Sequence, residues 1–315
     1  MTGFTRLVNL RIPMTTRQLA RGLFAIAGAM FSVPSYGQAW VAPKGELSLS
    51  LSYQYTDFPG HLDVKGDKDP VAGTEAQGFA LQLDYGVNDR LAFSANIPYT
   101  ATRTVAPLPP KAPPPEVNDD QRYHSTWQDY QFTLRYNLIS EPFVLTPFAA
   151  LVLPSHDYVN VGEAVVGRGL RETHLGLNAG RVLDPLLENA YVDAHLAYVF
   201  SEKDLGISTN RAVADLALGY FVTSRFSARL LASYQRTHGG LSGKEVFGGE
   251  LSDELFKHHD RLVRANFLRA GIAGSYSVTP QLDVYAAFIT VVSGTDTHYG
   301  RGISIGVSRT FFARR

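Results

Sequence analysis

Ten charged or titratable side chains occupy alternate positions in segments that otherwise have the pattern of β-strands. Both signs of charge occur among them, whereas a pore selective for anions or for cations would carry mostly one sign. The pattern predicts either a paired polar filling for a narrow interior or a polar path for a solute. Two of the ten are histidines, which would titrate near neutral pH. The ten are Asp84, Asp129, Arg135, His174, Asp193, His195, Asp215, Arg229, Arg269 and Asp283, and the polar Gln131 and Asn178 share their faces.

The sequence contains no set of residues that assembles a catalytic centre. Nucleophilic catalysis needs a serine within hydrogen-bond reach of an oriented histidine. The nearest approaches are His124-Ser125 and Ser155-His156-Asp157. Neighbouring residues of a strand face opposite ways, which argues against both. We therefore predict no catalytic residues and no enzyme activity.

Two polar connections carry groups of the kinds that bind metals. His258 and His259 follow several acidic residues, and Asp63, Asp67 and Asp69 lie in an earlier connection. Neither set shows the further ligands of a known zinc or calcium site. We therefore expect solvated charge at both places, with no metal and no cofactor.

The elements that must position these side chains alternate strictly between apolar and polar residues. The clearest case runs from Glu46 to Thr56. One face carries Leu47, Leu49, Leu51, Tyr53 and Tyr55, and the other carries Ser48, Ser50, Ser52, Gln54 and Thr56. Such a strand is apolar toward lipid and polar toward a lumen, which is typical of a transmembrane barrel.

Short and long connections follow one another in strict alternation. Tight turns are predicted at 86–90, 139–142, 184–188, 223–225 and 278–281, and long connections at 57–75, 101–125, 154–170, 201–209, 237–260 and 293–300. Short turns on the periplasmic side and long loops outside are the rule in outer-membrane barrels. The spacing predicts an all-β, antiparallel up-and-down barrel of about twelve strands. These strands are 46–57, 76–86, 90–101, 125–137, 142–153, 170–182, 189–200, 209–222, 225–236, 260–277, 281–292 and 300–312.

Residues 1–39 have the order of a secretory signal peptide. Arg6, Arg11, Arg17 and Arg21 precede the short apolar run 23–31, and a small-residue exit follows near 37–39. No acidic residue occurs in residues 1–39, as in a secretory signal peptide. A retained anchor is the alternative, although the run is too short to span a bilayer as a helix. We therefore expect two regions, a signal peptide over 1–39 and an outer-membrane barrel over 40–315.

Composition is typical of an exported barrel. The chain has no cysteine, and its 29 Lys and Arg residues balance 29 Asp and Glu residues. Without the four arginines of the signal it is mildly acidic, so nucleic acid is not an expected partner. After residue 39 no stretch approaches the length of about 20 apolar residues that a membrane helix needs. Membrane insertion therefore requires a closed sheet, because only that satisfies every backbone group in lipid.

The last predicted strand ends in Phe311 and Phe312. This segment resembles the C-terminal assembly signal of outer-membrane barrels, which ends in an aromatic residue, although residues 313–315 follow here. The expected partners are therefore outer-membrane lipids and, during assembly, the barrel-insertion machinery. The proline-dense connection at 106–115 is expected to be an extended spacer.

The stretch 83–99, LDYGVNDRLAFSANIPY, resembles a hairpin of the outer-membrane proteins labelled transporters of the meta-pathway of phenol degradation. That hairpin has a YGxxDR turn and a second strand ending in PY. Residues 153–158, LPSHDY, with Gly167-Arg168-Gly169, are similar to the family's P-T-G-D-Y and G-x-G patterns, with Ser155-His156 in place of Thr-Gly. The resemblance implies an outer-membrane channel or transporter for small hydrophobic or aromatic solutes.

Three function classes follow from the sequence. The first is passage of small hydrophobic or aromatic solutes through the cell outer membrane. The second is a structural or adhesive barrel that binds partners through its long extracellular loops, and the third is an envelope lipid hydrolase. The first predicts a lumen or lateral opening for solute, the second a plugged lumen with ordered loops, and the third a nucleophile beside a base.

Overall fold

One antiparallel sheet accounts for almost all the regular structure. The computed structural model describes residues 38–70, 73–105, 117–247 and 253–312. Within these residues the strands are β1 Glu46–Leu62, β2 Lys68–Asp69, β3 Thr74–Gly86, β4 Leu91–Thr104, β5 His124–Trp127, β6 Asp129–Tyr136, β7 Val144–Pro154, β8 Glu172–Val182, β9 Ala190–Ser201, β10 Thr209–Phe221, β11 Phe226–Gly239, β12 Asn266–Thr279, β13 Leu282–Thr295 and β14 Thr297–Phe312.

The sheet closes on itself because β14 pairs with β1, from Glu46 opposite Phe312 to Leu62 opposite Thr297. Inside this seam Ser50 donates a hydrogen bond of 2.8 Å to Ser308. In the described part of the chain, twelve strands form the barrel, and β2 and β5 are additional short pieces on β1 and β4. The predicted twelve-stranded antiparallel barrel is confirmed.

The outer surface is apolar and the inner surface polar. Along β1 the serines at 48, 50 and 52 are buried inside, while Leu51 is exposed outside, as the alternation predicts. Exposed aromatic rings form two belts on the outer surface. The belt near the short turns contains Tyr85, Tyr136, Tyr220, Phe226, Tyr276 and Phe311, and the belt near the long connections contains Tyr99, Trp127, Phe200 and Tyr234.

A closed barrel with an apolar outer band between two aromatic belts is the architecture of proteins in the bacterial outer membrane. This places the protein in the cell outer membrane, with its short turns toward the periplasm. Among the described residues of the connection between β11 and β12, three short helices lie at Gly243–Phe247, Asp253–Lys257 and His259–Leu262. No helix among the described residues is long and apolar enough to cross a membrane.

Four predicted boundaries are wrong. The strand predicted over 46–57 continues to Leu62, because its last residues pair with β14 and β2. The other three differ for local reasons. The strand predicted over 260–277 begins only at Asn266, because residues 259–262 form a helix. The long connection predicted at 293–300 is the single residue Asp296, which takes a left-handed φ of 51°. The strand predicted over 125–137 is broken at Gln128. Pairing with β4 has one extra residue there, a β-bulge that turns both Gln128 and Asp129 inward.

Some predictions fall on residues outside the described ranges. These include the signal peptide up to residue 37, the proline-dense connection at 106–115, and the three residues that follow Phe312. The division of the chain into a signal peptide and a mature barrel stays a prediction.

Candidate functional site in the barrel lumen

The structure places all ten predicted lumen residues on the inner face, but it does not bring them into one site. Five surround a cavity in the half of the barrel near the long connections. These are Asp129, His174, His195, Asp215 and Arg269. The other five lie nearer the short turns, outside the cavity wall. These are Asp84, Arg135, Asp193, Arg229 and Asp283. Their role in a solute pathway stays a prediction.

The periplasmic half is filled by paired side chains and by the segment that precedes β1. The Arg135 guanidinium donates to the Asp84 carboxylate, and both side chains are buried. Asp193 and Arg229 lie beside the buried ring of Tyr191. Opposite charges therefore compensate one another inside this narrow half of the barrel, as expected where a small lumen is packed.

Residues 38–43, which we call the entry segment, enter the barrel from the periplasmic end. Arg135 donates to the Gln38 carbonyl oxygen at 3.1 Å, and Thr146 donates to the Ala39 carbonyl oxygen at 2.6 Å. The Trp40 ring meets the Tyr191 ring edge-on, with centroids 6.3 Å apart. The entry segment therefore narrows the lumen from below. No local pattern in the sequence predicts this segment, because residues 38–43 precede the first alternating strand.

Above the entry segment lies a cavity of about 960 Å³. Its wall combines apolar side chains with the five predicted polar ones. The apolar part contains Phe58, Phe148, Val152, Val199, Val213, Phe256 and Phe267. The Phe148 ring stacks on His195 with centroids 4.8 Å apart, and the Arg269 guanidinium lies 3.8 Å from the centroid of Phe267. A cavity with an apolar wall and a few oriented polar groups is the usual form of a small-molecule site.

A charge cluster missed by the sequence analysis lies in the same wall. Glu172 is buried and accepts two hydrogen bonds from Arg211, at 2.8 and 2.7 Å. Arg168 and His174 lie within 3.2 and 3.1 Å of the same carboxylate. Glu172 has the same parity in β8 as the predicted lumen residue His174, so strand alternation would have found it. The cluster fixes one wall of the cavity by charge-assisted hydrogen bonds.

Two connections fold over the cavity, and their described residues 155–171, 240–247 and 253–265 form what we call the cap. Arg261 donates to the Arg168 carbonyl oxygen at 2.7 Å, which joins the two connections. Tyr158 donates to the carboxylate of Asp129 on the barrel wall. Burial raises the pKa of Glu163, in the first connection, to about 7, although His259 opposes the rise. The described parts of these two connections are therefore packed into the mouth of the barrel.

The residues considered for catalysis and for calcium have other roles. Ser155 lies 2.8 Å from His156 Nδ1, closer than strand geometry predicts, because both residues follow the end of β7. The serine hydroxyl also lies 2.7 Å from the Trp127 carbonyl oxygen, and it donates there when His156 Nδ1 carries the ring proton. Asp63 accepts backbone hydrogen bonds from Lys65 and Asp67, which fixes a turn.

Comparison with known proteins supports the fold. No protein-family model matches the sequence, and no curated protein matches it. The COG4313 outer membrane channel from Pseudomonas putida F1 is similar over 87% of this chain and 98% of that chain, with 14% identity and a TM-score of 0.65. The β domain of the Bordetella autotransporter BrkA is similar over 85% and 100%, with 10% identity and a TM-score of 0.50. The fold is that of an outer-membrane β-barrel. The resemblance to the phenol-degradation transporters stays a prediction.

Proposed function

We propose that this protein is an outer-membrane channel for small hydrophobic or aromatic solutes. The observation that carries the proposal is the cavity of about 960 Å³ inside a closed membrane barrel. Small-molecule sites commonly have volumes of about 300–1,000 Å³, so the cavity can hold a compact solute. The structural likeness to an outer membrane channel is consistent with this role.

The chemistry of the wall favours a largely apolar solute with one polar group. Aromatic side chains of Phe148 and Phe267 offer faces for stacking, and ring pairs of this kind add about 0.5–1.5 kcal/mol beyond burial. His195 and Arg269 lie against these two rings and can form a hydrogen bond with a hydroxyl or carboxylate group of the solute. The mixture of charge signs in the wall does not favour a strongly charged solute of either sign.

The route through the barrel needs rearrangement at both ends. The cap covers the extracellular side, and the entry segment occupies the periplasmic side. A wide aqueous pore of the porin type would need neither a cap nor an entry segment. The presence of both supports selective passage of a solute over general diffusion. The proposed partners are accordingly outer-membrane lipids, the barrel-insertion machinery during assembly, and the solute itself, and not nucleic acid.

The two other function classes have less support. An adhesive barrel would present its loops outward, whereas the described parts of the cap pack into the barrel mouth. A lipid hydrolase needs a serine that passes its proton to a histidine, and the Ser155 hydroxyl has the Trp127 carbonyl oxygen as a competing acceptor.

Planar-bilayer conductance of the refolded protein, with and without phenol in the bath, tests the proposal. We expect small, steady channels whose current falls saturably as phenol enters the cavity. Currents that phenol leaves unchanged, from protein with the heat-modifiable gel mobility of a folded barrel, would count against a cavity that accepts aromatic solutes.

A further inference from the structure

Three side chains with metal-binding groups meet where the cap touches the barrel wall. His61 lies near the end of β1, Glu163 in the connection between β7 and β8, and His259 in the connection between β11 and β12. One ligand atom of each lies within 4.8 Å of the other two. The chain separates these residues by about a hundred positions each, so only the closed barrel and its cap bring them together. All three line the cavity.

The geometry of His259 suits a metal ligand. Its Nδ1–H group donates to the Phe256 carbonyl oxygen at 2.7 Å, when assigned the tautomer that this contact favours. Its Nε2 atom then lies 3.5 Å from Glu163 Oε2. Histidine ligands of metals usually donate their second ring N–H to a carbonyl or carboxylate oxygen, which fixes the ring orientation. The helix His259–Leu262 thus presents a pre-oriented imidazole to Glu163.

Glu163 is also held in place from outside the cluster. Asp119 accepts hydrogen bonds from the backbone N–H groups of Glu163 and Ala164, at 2.9 and 3.2 Å. The Glu163 side chain is only 3% exposed, so its carboxylate is largely removed from water. Burial of a carboxylate is costly unless a cation lies beside it. Among the described residues, the side chain that pairs with the Glu163 carboxylate is His259, whose own charge depends on protonation.

We propose that His61, Glu163 and His259 bind a divalent transition-metal ion of the zinc class. Two imidazoles and one carboxylate are a known ligand set of zinc, with a fourth position left for water or another ligand. Calcium and magnesium prefer sites made wholly of oxygen atoms, which this one is not. Ligands about 2.0–2.2 Å from a tetrahedral ion lie roughly 3.4 Å apart, close to the separation of Glu163 and His259.

A bound ion would join both connections of the cap to the barrel wall, because its ligands come from β1 and from each connection. His298 packs against His61, with ring centroids 4.2 Å apart, and Asp260 lies 3.4 Å from His259 Nε2. These neighbours place further polar groups beside the three ligands. The site is independent of the solute that the cavity accepts.

Isothermal titration of the refolded, chelator-treated full chain with zinc chloride tests the proposal. We expect one zinc ion per chain. Loss of a group that only hydrogen-bonds to a metal ligand weakens metal binding by roughly 10- to 100-fold. Glu163→Gln and His259→Gln each remove a direct ligand, so each should weaken zinc binding by at least that factor. His238→Gln is the matched control, because His238 is exposed on the outer face and contacts Tyr198. Heat-modifiable gel mobility shows that each variant is folded.

Zinc uptake that survives His259→Gln, or is lost only in His238→Gln, would overturn the proposal, as would absence of uptake by the unaltered chain. If a variant does not fold, modification of the unaltered protein with diethylpyrocarbonate decides the matter. Zinc should then protect His61 and His259, as read by mass spectrometry. Equal modification of these two residues with and without zinc would overturn the assignment.

Discussion

Replacement of Gly180 by alanine should displace the entry segment and open the periplasmic end of the lumen. Gly180 faces inward from β8, and a Cβ atom there would lie 2.5 and 2.7 Å from ring atoms of Trp40 and 2.8 Å from the Cβ of Ala39. Real Cβ contacts are longer than this, so something must move. The sheet fixes Gly180 between Val144 and Asp193. The entry segment lies outside the sheet and is held by contacts with Arg135, Thr146 and Tyr191.

The size of the effect follows from those contacts. Two hydrogen bonds contribute about 1 kcal/mol each, and the Trp40–Tyr191 edge contact about 0.5–1.5 kcal/mol, so the segment is held by roughly 3 kcal/mol. Overpacking costs about 1–3 kcal/mol. Each 1.4 kcal/mol changes an equilibrium constant about tenfold. The fraction of molecules whose entry segment is displaced should therefore rise from below about 1% to between a few per cent and about half.

Single-channel recording measures this displaced fraction as the time spent in a higher-conductance state. Gly274→Ala is the matched control, because Gly274 faces outward and its added Cβ would come no nearer than 3.3 Å to the Phe226 ring and 3.7 Å to the Ser227 carbonyl oxygen. We expect more frequent or longer large openings for Gly180→Ala alone. Recordings identical to those of the unaltered protein, from a folded Gly180→Ala barrel, would show that the entry segment does not restrict the lumen.

Three further changes test other parts of the structure. Leu81→Lys, on the exposed outer face of β3, should lower the free energy of unfolding in lipid vesicles by about 2–4 kcal/mol. The control Val87→Lys, in the turn after β3, should lower it by at most about 1 kcal/mol. Equal losses would contradict the assigned faces. Glu172→Gln should lower the free energy of unfolding measured in urea by about 3–5 kcal/mol, because Arg211 loses its buried partner. A loss no greater than that caused by Glu202→Gln, at an exposed position, would refute this expectation. Arg269→Ala should weaken current block by phenol by about 0.5–2 kcal/mol, with the turn variant Arg225→Ala as control; unchanged block would exclude Arg269 from the solute contacts.

The barrel could be predicted from sequence because its pattern is local. In β1, leucines and serines alternate at every position, and a period of two in a membrane protein specifies which face meets lipid. The inward positions of the ten lumen residues follow from the same parity. The bulge at Gln128 leaves no comparable pattern, because it depends on the register with β4. The one-residue connection at Asp296 leaves none either, because residues 297–299 are held as a strand by pairing with β1.

The interior could not be predicted in the same way, because its organisation depends on contacts between distant segments. The entry segment is held by Arg135 and Thr146, about a hundred residues further along the chain. The sequence around His258 and His259 shows no further metal ligands, so it predicts no metal site there. His259 meets Glu163 and His61 only when the cap folds over the barrel mouth, whereas His258 pairs with Asp204.

The central claim, that the cavity accepts small aromatic solutes, is tested most directly by filling it. Ala197 lines the cavity beside Phe148, and its neighbour Leu196 faces outward with 53% of its surface exposed. The measurement is the concentration of phenol that halves the single-channel current in Ala197→Trp, compared with Leu196→Trp and the unaltered protein. We predict saturable block in the last two and its loss in Ala197→Trp. Equal block in all three folded proteins would contradict the claim that solutes occupy this cavity.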